Sequence, residues 1–348
     1  MNGVDVAELF DKAVRIARTV TCPEDYDGVW EVLDRAAGVE RVAAELAGTQ
    51  VTSPDATVRA TACDLLGLVS ERHEQIRASA ATILISMADT EVDGDVHWSI
   101  ARALGATCDP RAVPVLVTLA RHDDSDVRHR VACSLPAVIG DAVDGPGVDA
   151  LIVLSADPDR EVRNWATFGL GWQTNADGDF VRQALWERTG DSYSEAREEG
   201  IRGLAKRRDH RALPLLAGLL AEASAHVFSF DAAAFLGDPA LLPLLRKFDP
   251  ADRGVEEALR ECDPVLRARR DAFAIKLFDA LHARLPEAEI ALYAERFELG
   301  LHLEVDFPGS DGGQPALWSV EGLIERAGDD PDLAVQFVAQ DLQAIELG

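Results

Sequence analysis

At 348 residues the chain is long enough for two or three ordinary domains or for one extended array. It is 47% hydrophobic and 27% charged, which excludes a disordered chain, and its 6% aromatics beside abundant Ala and Leu favour helix over sheet. A formal charge of −27, from 34 basic and 61 acidic side chains, argues against a nucleic-acid partner, because grip on a phosphate backbone comes from Lys and Arg displacing counterions.

The N-terminus, MNGVDVAELFDKAV, is acidic and lacks an apolar signal core. The longest apolar run, Ala212–Ala221, has about half the length needed to span a bilayer. The expectation is a soluble, cytoplasmic protein with no membrane contact. Residues 1–50 predict an N-terminal helical cap: Val6, Leu9, Phe10, Val14 and Ala17 follow a helical period, and Trp30, Leu33 and Ala37 continue it. The five cysteines, Cys22, Cys63, Cys108, Cys133 and Cys262, are far apart in sequence. They read as free buried thiols in a reducing compartment, without zinc spacing.

Residues 51–249 carry a repeat. Asp126–Gly140, DVRHRVACSLPAVIG, has near-copies that open at Val58, Val96, Val162, Ala196 and, most weakly, Val227. With the opening residue at position 0, Arg recurs at +1 (Arg59, Arg128, Arg163, Arg197) and Leu at +8 (Leu66, Leu104, Leu135, Leu170, Leu204). From Val58 the starts lie 38, 31, 35, 34 and 31 residues apart. A near-fixed period of this length predicts a solenoid, in which each unit buries its apolar face only by stacking on its neighbours. Each copy is the second helix of a pair. The first helix is clearest at Pro110–Ala120, with Pro214 and Pro243 in similar contexts, and Asp, Gly, Ser and Pro fill the turns.

These features resemble HEAT repeats, of the short type found in the phycobilisome-lyase HEAT-like group. The matching residues are the proline of the first helix, the opening of the second (Asp126, Val127, Arg128; Glu161, Val162, Arg163), its Ala-rich middle, and the closing Leu-Gly (Leu66 and Gly67; Leu104 and Gly105). The chain departs from the pattern at Pro136, which replaces a closing Gly, and at Phe228, which replaces the Arg of the last copy. The resemblance implies an all-α fold, a right-handed α-solenoid with second helices lining its concave face.

Residues 250–348 lose the repeat and read as a divergent, acidic helical region. Helical patterns cover Val255–Leu259, Val265–Leu285 and Ala288–Leu303. A glycine-rich break follows at Phe307–Pro315, then two helices near Leu317–Ala327 and Pro331–Leu347. From Glu289 onward 13 acidic residues face only Arg296 and Arg326, so this end is a concentrated negative surface.

Little in the chain suggests catalysis. Asp89, Glu91, Asp93 and Asp95 begin like a calcium loop, but Ile100 stands where the bidentate Glu is needed. Asn175, Asp177 and Asp179 space similarly, with Phe180 at the glycine position. Both read as acidic turns, and His122 and His129 as surface histidines. Two basic clusters, Lys206, Arg207, Arg208 and Arg211, and Arg267, Arg269, Arg270 and Lys276, read as solvated faces, or as sites for an acidic partner or the chain's own acidic end. No nucleophile elbow, Walker loop or dinucleotide glycine pattern is visible. No catalytic residue, metal ligand or cofactor is predicted.

One constellation stands out. At about 100° per residue, positions 0, +1, +4, +5 and +8 share the core side of the second helix, and +2, +3, +6 and +10 point away from it. In the Val162 copy the latter are Asn164, Trp165, Phe168 and Trp172. The Val96 copy adds Trp98 and Arg102, the Val127 copy His129 and Arg130, and the Ala196 copy Glu198, Glu199 and Arg202. An aromatic patch on the side away from the core marks a binding site, unless a loop such as Gln173–Phe180 covers it. The leading expectation is a scaffold that grips a protein or peptide in a concave aromatic groove. The alternative is an enzyme of the phycobilisome-lyase type acting on a planar acidic chromophore, since the resemblance permits either. A HEAT-like DNA glycosylase would need a basic groove, which the acidity opposes.

Overall fold

The computed structural model describes residues 5–21, 23–222, 225, 227–295, 297–307 and 315–346. They form two compact units, residues 1–203 and 204–348.

In the first unit the helices are α1 (Val6–Ala17), α2 (Asp27–Ala37), α3 (Glu40–Gln50), α4 (Ala56–Arg72), α5 (Arg77–Ala88), α6 (Gly94–Thr107), α7 (Val113–Leu119), α8 (Ser125–Ile139), α9 (Pro146–Leu154), α10 (Arg160–Phe168), α11 (Asp179–Arg188) and α12 (Ser194–Lys206). From α3 onward they run as helix pairs, and the second helices α4, α6, α8, α10 and α12 are the repeat copies. Helices α4, α6, α8 and α10 each pack on their own first helix and on one another in turn, and α12 approaches α11 at Gly200, where a Cβ would lie 2.8 Å from the Leu185 carbonyl. This is the α-solenoid that the repeat predicts.

The repeat positions explain the stacking. Val96, Ile100 and Leu104, then Val127, Val131, Ala132 and Leu135, then Val162, Ala166 and Leu170 are all at or near zero exposure. Position −3 is Asp55, Asp93, Asp124 and Asp159, and each accepts a hydrogen bond from the first backbone N–H groups of its helix. The closing glycine at +9 marks where successive second helices touch. A Cβ on Gly105 would lie 2.8 Å from both Cβ and Oγ of Ser134, and one on Gly67 would lie 2.8 Å from Arg102 and 3.2 Å from the Cα of Ala103.

Position +1 corrects the sequence reading, which put it on the core side. Its arginines staple one repeat to the next. Arg128 donates to both oxygens of Asp157 at 2.8 and 3.0 Å, and to the carbonyls of His122 and Asp123. Arg163 does the same with Asp191, and Arg59 with Glu91. The acceptor always sits at −5 of the following copy. Glu91, first of all through its hydrogen bonds from Arg59, is held at a pKa of about 2. At the junction between the Val96 and Val127 copies both partners change together: His97 stands at +1 and His122 at −5, with Nδ1 of the first 3.3 Å from Nε2 of the second. His122 is thus half-buried in a junction rather than a surface residue.

The turns that resemble calcium loops have structural work of this kind. Asp93 caps α6, Glu91 holds Arg59, and Asp177 holds Arg182 at 2.7 Å. Among the described residues no cluster of three or more His, Cys, Asp or Glu is arranged to hold a metal. Of the cysteines, Cys63 and Cys262 are buried and Cys133 is half-buried. Cys108 departs from the expectation: it is exposed, at the left-handed C-cap of α6 with φ 50°. Cys22 lies outside the described residues.

The second unit holds α13 (Ala212–Ala221), α14 (Val227–Leu236), α15 (Leu242–Leu245), α16 (Val255–Cys262), α17 (Pro264–Arg284), α18 (Val320–Ala327) and α19 (Pro331–Glu346). The chain is mostly helical, as expected, but the helix expected over Ala288–Leu303 is not there. Strands β1 (Glu289–Tyr293), β2 (His302–Asp306) and β3 (Ala316–Ser319) form an antiparallel sheet in that order. The period-two signal is short but present: Leu303 and Val305 point into a core with Phe273, Leu277, Leu281, Val320, Leu323 and Val338, while His302, Glu304 and Asp306 alternate with them. Most of the glycine-rich break, residues 308–314, lies outside the described residues.

Neither basic cluster is simply a solvated face. Arg269 pairs with Asp329, and Arg270 with Glu261 and Glu321 at 2.8 and 3.1 Å, so acidic residues of this unit neutralise them. Lys206 and Arg207 are buried, their charged heads 5.6 Å from the Phe297 ring. Among the described residues no helix is long and apolar enough to cross a membrane.

Candidate functional site: an arginine and tryptophan cleft on the second helices

The side of the second helices away from the core carries the residues singled out above, and the first unit sorts them into three groups. The first is a cleft of about 460 Å³ lined by Trp30, Glu31 and Asp34 of α2, Leu68 of α4, Trp98 and Arg102 of α6, and Arg130 of α8. Helix stacking brings them together: the +2 and +6 positions of α6 face the +3 position of α8 and the +10 position of α4. Each guanidinium lies on an indole. Arg102 sits 4.1 Å from the Trp30 ring centre, and Arg130 4.4 Å from that of Trp98.

The two arginines differ in their hydrogen bonds. Arg102 donates to Glu71 at 3.1 Å. Arg130 donates none among the described residues, and its Nε is enclosed without an acceptor. Burial pulls the Arg130 pKa down, and the charge of Arg102 adds to this.

Beneath the cleft is a fully buried carboxylate, Asp64, at +6 of α4. Tyr26 donates its hydroxyl to Oδ2 at 2.7 Å. Burial raises the Asp64 pKa to about 6, against the opposing pull of Arg102, Tyr26, Ser99 and Arg130. Burial, then the neighbouring Asp64, drives the Tyr26 hydroxyl far above its ordinary value.

The second group is an aromatic chain. His129 meets Trp165 edge-on at 5.8 Å, and Trp165 meets Phe168 edge-on at 5.8 Å. Trp165 is 37% exposed, and no loop encloses it. His129 is half-buried, not a plain surface histidine, and burial followed by the Arg130 charge lowers its pKa. Asn164 is half-buried beside them, its Oδ1 enclosed without a donor.

The third group is Trp172, Glu198, Glu199 and Arg202. Here α10 passes into a π-turn, Gly169–Gln173, which carries Trp172. Arg202 is 6% exposed, so it does not offer its charge to solvent; its guanidinium lies 3.3 Å from the Trp172 ring centre and 3.6 Å from Glu199. Burial raises the pKa of Glu199.

Sequence reasoning found Trp98, Arg102 and Arg130, but missed Trp30, Tyr26 and Asp64. A signal for Asp64 was available. It is a carboxylate inside the apolar run Ala62–Leu68, at the same +6 position as Arg102. Trp30 offered none, because its helix precedes the first copy.

Paired helices, a second-helix seam and a polar aromatic face define a solenoid protein of the helical-repeat class. The model for HEAT repeats matches residues 44–135 and 148–237, just over half of the chain, and the chain belongs to that family. Protein YibA of Escherichia coli (strain K12) is 34% identical over 144 residues, which is 40% of this chain and 50% of that one. The chain thus spans about half the length of the curated relatives it matches. The crystal structure of YibA superposes with a TM-score of 0.55 at 23% identity, over 75% of this chain and 97% of that one. An engineered protein superposes with a TM-score of 0.50 at 18% identity, over 80% and 84%. The complex of CpcE and CpcF of phycocyanin lyase from Nostoc is similar more loosely, with a TM-score of 0.41 at 19% identity, over 63% and 86%.

Proposed function

We propose that the chain is a binding scaffold that holds a segment of a protein partner along the second-helix face of its first unit. The observation that carries this reading is the division of labour within the second helix. Core, cap and staple residues occupy fixed positions and recur from copy to copy, while +2 and +3 differ from each copy to the next and +6 runs through Asp64, Arg102, Cys133, Phe168 and Arg202. They hold Trp98 and Arg102, then His129 and Arg130, then Asn164, Trp165 and Phe168. A solenoid that needed only to stack would keep this face small and polar. Partly exposed tryptophans beside arginines are the residue types that dominate interface energetics. The helices of residues 1–50 close one end of the groove through Trp30.

The test places a photo-crosslinking amino acid at Trp165, on the face, and in parallel at Val153, which is 66% exposed on the first helix α9. Irradiation in native lysate should give a discrete protein adduct from position 165 and none from 153. Equal labelling from both positions, or a chain that co-purifies with visible absorbance and yields no protein adduct, would overturn the reading, the latter in favour of a bound chromophore.

A further inference from the structure

We propose that Arg130, aided by Arg102, is a receptor for a single carboxylate carried by the segment that occupies the groove. This rests on the reading just given and names the chemistry of one of its contacts.

Arg130 is mostly enclosed, yet it meets no carboxylate and donates no hydrogen bond among the described residues. The other arginines at repeat junctions show what this chain does when an arginine serves the fold. Arg59, Arg128 and Arg163 each take a carboxylate with two nitrogens and a backbone carbonyl with a third. Arg130 has none of these partners. It is held instead by the face of Trp98, which fixes the plane of the fork without using its donors. Its Nε is enclosed, while the side chain lines the cleft, so the terminal nitrogens are the part offered to an occupant. A planar fork of donors, held flat and left without an acceptor, matches a carboxylate in shape and charge.

The surroundings select for one negative charge and not two. Glu31 and Asp34 line the cleft, Asp34 already paired with Arg72, and the fully buried Asp64 lies close by. They oppose a phosphate dianion more strongly than a monoanion. Trp30, Trp98 and Leu68 supply apolar wall for the group that bears the carboxylate. Asp64 is then a built-in rival: when ionised it offsets the charge that the ligand would meet.

The probe is benzoate, with benzamide as its neutral counterpart, titrated against the full chain at pH 7.5 by ligand-observed NMR. Benzoate should bind at least tenfold tighter than benzamide. Arg130→Gln should weaken benzoate at least tenfold, and Arg130→Lys, which keeps the charge but loses the fork, severalfold. Asp64→Asn should strengthen it severalfold. A purely structural role for these side chains would not produce opposite signs at two positions. Equal binding of benzamide, no loss in Arg130→Gln, or tighter binding of inorganic phosphate than of benzoate would overturn the proposal. Loss of benzoate binding in wild type alongside an intact adduct at position 165 sinks the carboxylate receptor alone. Benzoate binding that follows these variants upholds the receptor even where no adduct forms, in which case the partner reading fails by itself.

Discussion

Replacing Asp64 with Asn should remove a pH-dependent weakness from the first unit. The carboxyl is fully buried, and its pKa is raised from 3.8 to about 6. Burial is the cause, and Arg102, Tyr26, Ser99 and Arg130 reverse only part of it. A carboxyl whose pKa is higher in the folded state than in the unfolded chain binds its proton more readily when folded. Its contribution to stability is therefore complete below about pH 4 and is lost as pH rises through 6. A shift of about two units corresponds to ~3 kcal/mol. The Asn variant keeps the shape and an acceptor for Tyr26 but cannot ionise. At pH 4 it should match wild type closely, and at pH 7.5 it should be more stable by ~3 kcal/mol. Urea melts of both proteins at half-unit steps from pH 4 to 8, read as a difference, cancel every other titrating group. A difference that does not change with pH would show that burial and the two arginines balance at Asp64. A difference of opposite slope would show that Arg102 and Arg130 hold the carboxylate ionised, and the account of the cleft's electrostatics would be wrong.

Three further outcomes test the packing. Burial, then His122, lowers the His97 pKa, so that junction's stability is present above the ordinary histidine value and is lost as pH falls below it; His97→Arg with His122→Asp, which copies the other junctions, should flatten the loss between pH 7 and 5 in thermal melts. Gly105→Ala should cost ~1–3 kcal/mol, because the new Cβ would meet Ser134 at 2.8 Å, whereas Gly218→Ala in α13, with nothing within 4 Å, should gain ~0.5–1 kcal/mol; equal effects in denaturant melts would refute the close approach of α6 and α8. Trp165→Ala should cost ~1–3 kcal/mol, the worth of its two edge contacts, while Trp172→Ala, which strips the plate from under Arg202, should cost more; the reverse order by calorimetry would mean that Trp165 is packed and not presented.

What could be read in the sequence follows from where each signal sits. The solenoid was legible because Val, Ala, Ile and Leu recur at 0, +4 and +8 of every strong copy, and all of these except the half-buried Val58 are buried. The role of the +1 arginine was not, since its acceptor lies about thirty residues on and only stacking brings the two together. The strands of the second unit were missed because each is four or five residues long, too short for alternation to outweigh the helical bias of the flanking Ala and Leu. In the candidate site, Trp98, Arg102 and Arg130 could be found by placing residues on a helix wheel. Trp30 could not, because it lies outside the repeat; Asp64 sits on the same wheel at +6, but its role shows only once two arginines are seen to lie close to it.

The same staples explain how a chain so rich in acidic residues can still present an arginine without a carboxylate partner in its cleft. Each arginine that the fold uses is matched locally. Arg59, Arg128 and Arg163 meet carboxylates that are themselves nearly buried, so these pairs cancel at short range and leave little field outside. The overall charge of −27 is then carried mostly by other acids, and screening confines their reach to about one Debye length. Arg130 differs from these: it is partly enclosed and meets no carboxylate among the described residues. Its nearest compensation is Asp64, which burial holds close to half-ionised near pH 6. A positive charge that is enclosed, aligned by Trp98 and only partly offset acts locally, whatever the sign of the whole molecule. Net charge therefore opposes an extended polyanion, which would have to cross the acidic surface, more strongly than it opposes one carboxylate on a partner that is otherwise apolar or basic. A partner segment with a single acidic residue flanked by aromatic or aliphatic side chains meets both conditions, and one with consecutive acidic residues should be disfavoured by Glu31 in the cleft wall.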